Sequence, residues 1–168
     1  LHDRAAFRIY TPGSDAGIPV NILQSLNPPS QSSGLSWAKN GEALRERIGQ
    51  MCSALLQLIG IDADPLQSRE HILISTILAH FWNRGEEVDL PRLIQAIQSP
   101  PVTRMGVMEL ETFFPAGQRF ELAMRLNNLA ASPGFSRWSE GVPLDVGALL
   151  YTPAAKPRIA VFSIAHLS

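Results

Sequence analysis

The stretch Asp64–Arg84, DPLQSREHILISTILAHFWNR, decides the fold that this sequence predicts. Its apolar residues recur at the spacing of a helix of about five turns and cover roughly half of the helix circumference. That stripe is wider than the one a surface helix usually carries. No Asp, Glu, Lys or Arg stands between His71 and Asn83, so the opposite side should also be shielded. We therefore predict a central helix that packs through Leu66, Leu73, Ile74, Ile77, Leu78, Phe81 and Trp82.

The sequence predicts where the central helix begins and where the helix before it begins and ends. Asp64 is followed by a proline at the first helical position and, three residues later, by Gln67, which is typical of a capped N-terminus. Upstream, Asn40 is predicted to cap a helix over 41–59 that ends at Gly60. The predicted apolar face of that helix consists of Leu44, Ile48, Met51, Cys52, Leu55 and Ile59.

Further helices are predicted on the C-terminal side, each bordered by proline. Asp89 opens one that ends before Pro100, a short helical turn follows over 107–114, a long helix runs over 115–131, and another short helix covers 144–151. The inward residues are predicted to be Leu93, Ile94 and Ile97 in the first, and Phe120, Ala123, Met124, Asn127 and Ala130 beside Leu122, Leu126 and Leu129 in the long helix.

Two apolar stretches near the chain ends are predicted strands. Ala6–Tyr10 has β-branched and aromatic content, and Arg158–Ile164, RIAVFSI, has the nearly continuous apolar pattern of a strand covered on both faces. Two short strands do not form a stable sheet alone. They must therefore pair with each other or leave an edge exposed, and the second strand is expected to belong to a larger sheet.

The predicted fold class is mainly α, α+β overall, with a bundle-like block of about five to seven helices between two short strands. Residues 1–168 are interpreted as a single domain, with a strand and a loop over 1–39, the helical block over 40–151 and the terminal strand over 158–164. Trp37, within a loop rich in serine and proline, is predicted to fold back onto the domain.

Composition restricts the classes of function. Hydrophobic residues make up 45% of the chain, and 14 Lys and Arg stand against 15 Asp and Glu, so the segment lacks the basic surplus of a nucleic-acid-binding domain. The single Cys52 is predicted to pack as a small hydrophobe in a cytoplasmic protein. No apolar run approaches the ~20 residues of a membrane span. The start at Leu1 suggests a piece of a longer protein.

No complete catalytic motif is present, so no catalytic, cofactor-binding or metal-binding residue is nominated. The chain contains no G-x-x-x-x-G-K-[ST] loop, and Thr11–Gly17, TPGSDAG, is interpreted as a turn. His71 and His80 lack metal-ligand spacing and are expected to bond to Ser68, Ser75 or a backbone carbonyl.

Five stretches together resemble the middle portion of bacterial ATP-binding proteins with a HerA-like central domain, of the FtsK–HerA group of P-loop ATPases. They are YTPGSDAGIPVNIL, GIDADPLQSREHILISTIL, LIQAIQSPP, ELETFFPAGQRFELAMRLNNLAASPGF and PLDVGALLYTPAAKPRIAVFSIAHLS. The resemblance covers nearly the whole chain in order and spacing. In that family the Walker A loop lies upstream of such a segment and the Walker B acidic residues lie downstream of the strand matched by Arg158–Ile164.

The resemblance implies a helical insertion flanked by two strands of a RecA-like core. It implies a parent protein that hydrolyses ATP with Mg²⁺ as a homo-oligomer, and it leaves movement along DNA open for that parent. No catalytic residue of the family maps onto this chain. The segment itself is expected to be inert and to contact the remainder of the parent, without binding nucleic acid or a membrane.

The alternative hypothesis is a free-standing helical module that binds a small apolar ligand or a peptide. Its cavity would be lined by Trp82, Phe120 and Leu126, although aromatic residues at helical spacing usually belong to a core. A hydrolase without a recognisable motif is a third possibility, which requires a nucleophile within hydrogen-bond reach of a buried base.

Overall fold

A computed structural model describes residues 5–11, 16–21, 26–29, 34–132, 141–143, 149–152 and 156–163. The chain divides into two compact units. The helical unit is Leu26–Ala130, and the strand unit combines Leu1–Ser25 with Ala131–Ser168. The predicted mainly α class is confirmed, whereas the single domain stays a prediction.

Five helices account for most of the described residues. They are α1 (Trp37–Leu58), α2 (Arg69–Asn83), α3 (Leu90–Gln98), α4 (Leu110–Phe113) and α5 (Ala116–Ala131). The described strands are short: β1 (Ala6–Tyr10), β2 (Val20–Asn21), β3 (Arg104–Met105), β4 (Met108–Glu109), β5 (Val142–Pro143) and β6 (Arg158–Phe162).

Helix α2 is the centre of the helical unit, as its apolar spacing predicts. It packs against α1 and α3, and none of its residues from Glu70 to Trp82 is exposed. The predicted shielding of its polar side is therefore confirmed. Because an isolated helix of this length is marginal in water, burial rather than propensity holds it. The buried apolar residues are Leu73, Ile74, Ile77, Leu78, Phe81 and Trp82.

The predicted start of this central helix is wrong. The Asp64 carboxylate accepts hydrogen bonds from the N–H groups of Leu66 and Gln67 at 2.8 and 3.1 Å, so the cap forms. It closes only a single turn, since Ser68 then adopts an extended conformation (φ −73°, ψ 123°) and α2 begins at Arg69. Leu66 is consequently 87% exposed and does not join the apolar face.

Helix α1 also begins earlier than predicted. It starts at Trp37, and Asn40 is a non-helical residue inside it (φ −131°, ψ 28°) rather than its cap. Its end is confirmed: Gly60 has φ 75°, and the N–H of Ile61 donates to the carbonyl of Leu56 at 2.9 Å. This bond is characteristic of a Schellman stop. The buried side chains of α1 are Leu44, Ile48, Cys52, Leu55 and Leu56, so Met51 and Ile59 are only half-buried.

The sequence predicts some, but not all, of the elements that follow α2. Asp89 caps α3 as expected, accepting from the N–H of Arg92 at 2.8 Å. Instead of one helical turn over 107–114, however, β3 and β4 form an antiparallel hairpin and only α4 is helical. Gly106, at φ 59°, supplies the turn of this hairpin, because a positive φ is readily adopted only by glycine.

Helix α5 matches its predicted bounds but not its predicted face. Leu122, Ala123 and Leu126 are buried, whereas Phe120 and Met124 are exposed. The residues predicted to continue that side, Asn127 and Ala130, are exposed as well. Only one half of the wide apolar arc is therefore used inside this unit.

The strand unit contains two parallel strand pairs. β1 pairs with β6 from Ala6 opposite Arg158 to Tyr10 opposite Phe162, and β2 pairs with β5. Of the two predicted arrangements, pairing of the terminal strands with each other is the one observed. Residues 12–15 of the predicted turn, 144–148 of the predicted short helix and 164 of the predicted strand lie outside the described residues.

Candidate interaction surface

One face of the β1–β6 pair is apolar and exposed. Phe7 lies opposite Ile159, and Ile9 lies opposite Val161, so these four side chains share one side of the pleat. Their exposed fractions run from 40% for Ile159 to 57% for Ile9. We call this the outer sheet face. It corrects the prediction that the second strand is covered on both faces, because the described residues leave Ile159 and Val161 exposed.

The other face of the same strands is packed in part, since Arg8 and Phe162 on it are exposed. Tyr10 forms a small core with Val20 and Leu149, and its ring stacks on that of Phe162 with centroids 5.3 Å apart. Ala160 lies against this cluster. The two faces therefore differ, because among the described residues only the inner face of the pair includes a buried side chain, that of Tyr10.

A parallel sheet normally has both faces covered, because the crossover connections between its strands place helices there. β-branched side chains on an uncovered face leave apolar surface in water, which costs about 25 cal/mol per Å². The outer sheet face is therefore the described surface best suited to pack against further polypeptide.

A second candidate is the contact between His71 and Ser53. The Nε2 atom of His71 lies 3.1 Å from the carbonyl oxygen of Gly49 and 3.3 Å from Ser53 Oγ. A carbonyl only accepts, so Nε2 carries the proton and cannot take one from the serine. The pair therefore ties α2 to α1 and does not form a nucleophile and base. The expected backbone carbonyl partner is confirmed, although Ser53, rather than Ser68 or Ser75, is the serine involved.

Cys52 has the packing role predicted for it. The side chain is fully buried in α1, and burial raises the pKa of its thiol to about 12. Because the thiolate is the reactive form, this cysteine is inert in the folded chain.

A buried arginine holds α4 to α5. Arg119 is 4% exposed; it donates through Nη1 to the carbonyl of Phe114 and through Nη2 to Glu111 Oε1, both at 2.6 Å. The other oxygen of Glu111 accepts from the N–H of Ala116 at 3.0 Å. The hydrogen bond from Arg119, followed by that from Ala116, holds the pKa of Glu111 below its ordinary value of 4.5. Neither residue of this pair is predicted from the sequence, because Glu111 and Arg119 belong to different helices and match no motif.

The cavity expected for the alternative hypothesis is not assembled from its predicted residues. Trp82 and Leu126 are buried, but Phe120 is 54% exposed and cannot line an internal space with them. Trp82 instead lines a different cavity, of about 410 Å³, near the start of α1. A further groove, of about 520 Å³, lies beside the start of α2 and is edged by both acidic and basic side chains.

Two classes of site are not seen in the described parts of the chain. Across those ranges, no three His, Cys, Asp or Glu side chains come together in a way that could hold a metal ion. Nor does any helix among the described residues have the length and apolar character needed to cross a bilayer.

Comparison of the chain with protein-family models, with curated proteins and with solved structures found no match.

Proposed function

We propose that this chain is a helix-rich insertion of a HerA-like ATPase and has no catalytic activity of its own. In this proposal β1 and β6 are neighbouring strands of the parent's α/β core, and the helical unit is inserted between them. The observation that carries the proposal is the parallel, in-register pairing of β1 with β6 combined with the exposed outer sheet face.

The pairing supports the proposal through its connectivity. Two neighbouring parallel strands need a crossover connection of a dozen or more residues, usually one helix. Here a compact unit, Leu26–Ala130, occupies the connection. A self-contained helical unit between two paired strands is the arrangement expected of an insertion into an existing sheet.

The outer sheet face supports the same proposal through its chemistry. In open α/β proteins, helices pack on both faces of a mostly parallel sheet. Ile9, Ile159 and Val161 would provide the apolar surface for one such layer of helices. The remainder of the parent is thus the proposed partner of this face.

The residues present do not fit a nucleotide site. The sequence has no lysine preceded by glycine and followed by serine or threonine, which a phosphate-cradling loop requires. ATP and Mg²⁺ would be held by parts of the parent outside these residues. We extend the proposal to a cytoplasmic, homo-oligomeric parent whose contacts with nucleic acid, if it makes any, lie outside this segment.

The experiment compares the purified 168-residue chain with the product of its natural open reading frame. The proposal expects a GK[ST] loop upstream, a strand ending in Asp-Glu downstream, and ATP hydrolysis only by the longer product. A variant of the longer product in which alanine replaces the loop lysine serves as the control and should be inactive. Binding or hydrolysis of micromolar ATP by the 168-residue chain would overturn the proposal, and so would a reading frame without the loop.

A further inference from the structure

The helical unit contains a second feature that an insertion does not require, an open cavity of about 410 Å³ with a mixed apolar and polar lining near the start of α1. It lies between the segment 26–29, the first turn of α1 and the C-terminal end of α2. Pro28, Trp37, Leu44 and Trp82 line it, with Ser36 and Glu87 among its polar residues. Its volume falls in the range of small-molecule sites, which are mostly apolar with a few polar groups. We call it the Trp37–Trp82 pocket.

One wall of this pocket is held in place by hydrogen bonds. The indole Nε1–H of Trp82 donates to the carbonyl of Leu26 at 2.8 Å, and the N–H of Val88 donates to the side-chain oxygen of Asn27 at 2.7 Å. Both bonds tie the segment 26–29 to the end of α2. This side of the pocket is therefore formed before any ligand arrives, which lowers the entropic cost of binding.

The facing wall is built differently. Trp37 is half-buried and stands on the first turn of α1, which the non-helical Asn40 separates from the rest of the helix. The backbone hydrogen bonds of this turn end at Ser36. Small shifts of the Trp37 ring are thus possible without disturbing the buried face of α1.

The charge of the lining is negative. Glu87 is the one ionisable side chain among the described residues that line the pocket, and in the described part of the chain its carboxylate takes part in no ion pair. The two nearby arginines, Arg84 and Arg92, both bind the carboxylate of Glu86, and Arg92 also donates to the backbone carbonyl of Glu87 but not to its carboxylate. Gly85 also lines the pocket and follows α2, whose C-terminal carbonyls add partial negative charge.

We propose that the Trp37–Trp82 pocket binds a small organic cation with an apolar body. The body packs between Trp37, Leu44 and Trp82, and the positive group lies near the Glu87 carboxylate and the face of the Trp37 ring. Tryptophan is the side chain that binds ammonium groups best through its ring. A small anion is excluded by the carboxylate, and a neutral ligand gains only the apolar contacts.

The test follows the indole N–H signals of Trp37 and Trp82 by ¹H–¹⁵N NMR in the intact chain. Three probes of similar apolar body are titrated: phenyltrimethylammonium, benzyl alcohol and benzoate. The proposal expects both signals to shift in a saturable way with phenyltrimethylammonium, more weakly with benzyl alcohol, and not with benzoate. Unchanged signals up to millimolar cation, or equal shifts with all three probes, would overturn it.

Two variants separate the charge from the apolar contact. Glu87→Gln should weaken binding of the cation by about two- to fivefold and leave the affinity for benzyl alcohol unchanged. Glu121→Gln, at an exposed glutamate of α5 that does not line the pocket, is the matched control and should have no effect. Trp37→Ala should weaken binding of the cation by about fivefold or more, and Trp37→Phe should weaken it by less. The backbone amide signals show whether each variant is folded. If folded Glu87→Gln and Trp37→Ala proteins bind phenyltrimethylammonium as tightly as the wild type, the pocket is not the cation site.

Discussion

The helical unit and the strand unit use the same kinds of side chain to opposite effect. In α2, Leu73, Ile74 and Ile77 are completely buried, whereas in β1 and β6, Ile9 and Val161 are 57% and 46% exposed. The first set finds its partners on α1 and α3, within one compact unit. The second set finds no cover among the described residues. The helical unit therefore covers the apolar face of α2 by itself, whereas the described residues leave the outer sheet face exposed.

The largest effect that tests this comparison is expected in α2. Leu73→Ala should lower the free energy of unfolding by about 2–5 kcal/mol, because it removes buried methyl groups and leaves a cavity. Leu66→Ala is the matched control, since Leu66 lies just before the same helix and is 87% exposed. It should change stability by less than about 0.5 kcal/mol. Urea titration followed by circular dichroism measures both, and similar losses in the two variants would show that α2 is not the centre of the unit.

A smaller loss is expected at the link between α4 and α5. Arg119→Met keeps most of the buried aliphatic volume but leaves the carbonyl of Phe114 without its donor, so it should cost about 1–3 kcal/mol. Arg125→Met, at an exposed position of the same helix, is the control and should be nearly neutral. The midpoint temperature of thermal unfolding measures both effects. If it shifts equally in the two variants, the buried hydrogen bonds of Arg119 do not stabilise the helical unit.

The pH dependence of the same pair has a defined sign. The folded state lowers the pKa of Glu111 below 4.5, so its ionised form stabilises the fold at neutral pH. That contribution is lost as the pH falls below about 4.5 and through the folded-state pKa. The stability gap between the wild type and Glu111→Gln should therefore narrow from about pH 6 to about pH 3. In an Arg119→Met background the gap should narrow less over the same pH range, because only the N–H of Ala116 still lowers the pKa of Glu111. An equally large narrowing there would mean that Arg119 is not the main cause.

The buried face of a regular helix could be predicted from the sequence. The places where a helix is interrupted or a very short strand forms could not. The face of α2 follows from residue spacing, and the stop at Gly60 follows from a glycine placed where positive φ is needed. The start of α2 was mispredicted because Asp64 does act as a cap, but Ser68 interrupts the helix one turn later. Two-residue strands such as β3 and β4 are too short to show alternation. Only Gly106 signalled their hairpin.

The exposed surfaces could not be predicted for a different reason. The pattern of Arg158–Ile164 predicts a strand covered on both faces, and β6 does form, but its outer side is exposed among the described residues. A pattern also does not say which polypeptide would cover a strand. The Trp37–Trp82 pocket likewise joins residues that are distant in the chain, and Trp37 was assigned to a loop instead of the first turn of α1. Contacts of this kind depend on tertiary packing.

The smallest change in stability is expected on the outer sheet face. The double variant Ile9→Thr, Val161→Thr replaces two exposed apolar side chains with the polar, β-branched threonine, and should change the free energy of unfolding by less than about 1 kcal/mol. It should, however, reduce the binding of an apolar dye such as ANS and any concentration-dependent self-association. Val107→Thr, at an exposed site of the hairpin, is the control. Unchanged dye binding in the double variant would mean that this face is not the main apolar surface of the chain.

Thiol labelling tests directly whether further polypeptide packs on the outer sheet face. Val161→Cys is introduced into the 168-residue chain and into the product of the natural open reading frame, and the labelling rates are compared under native conditions. Cys52 is buried in the 168-residue chain, and each parent protein without Val161→Cys is labelled in parallel to correct for it. We predict fast labelling in the 168-residue chain and strong protection in the longer product, because in the proposed function the remainder of the parent packs on this face. Equal rates in the two proteins would contradict the account.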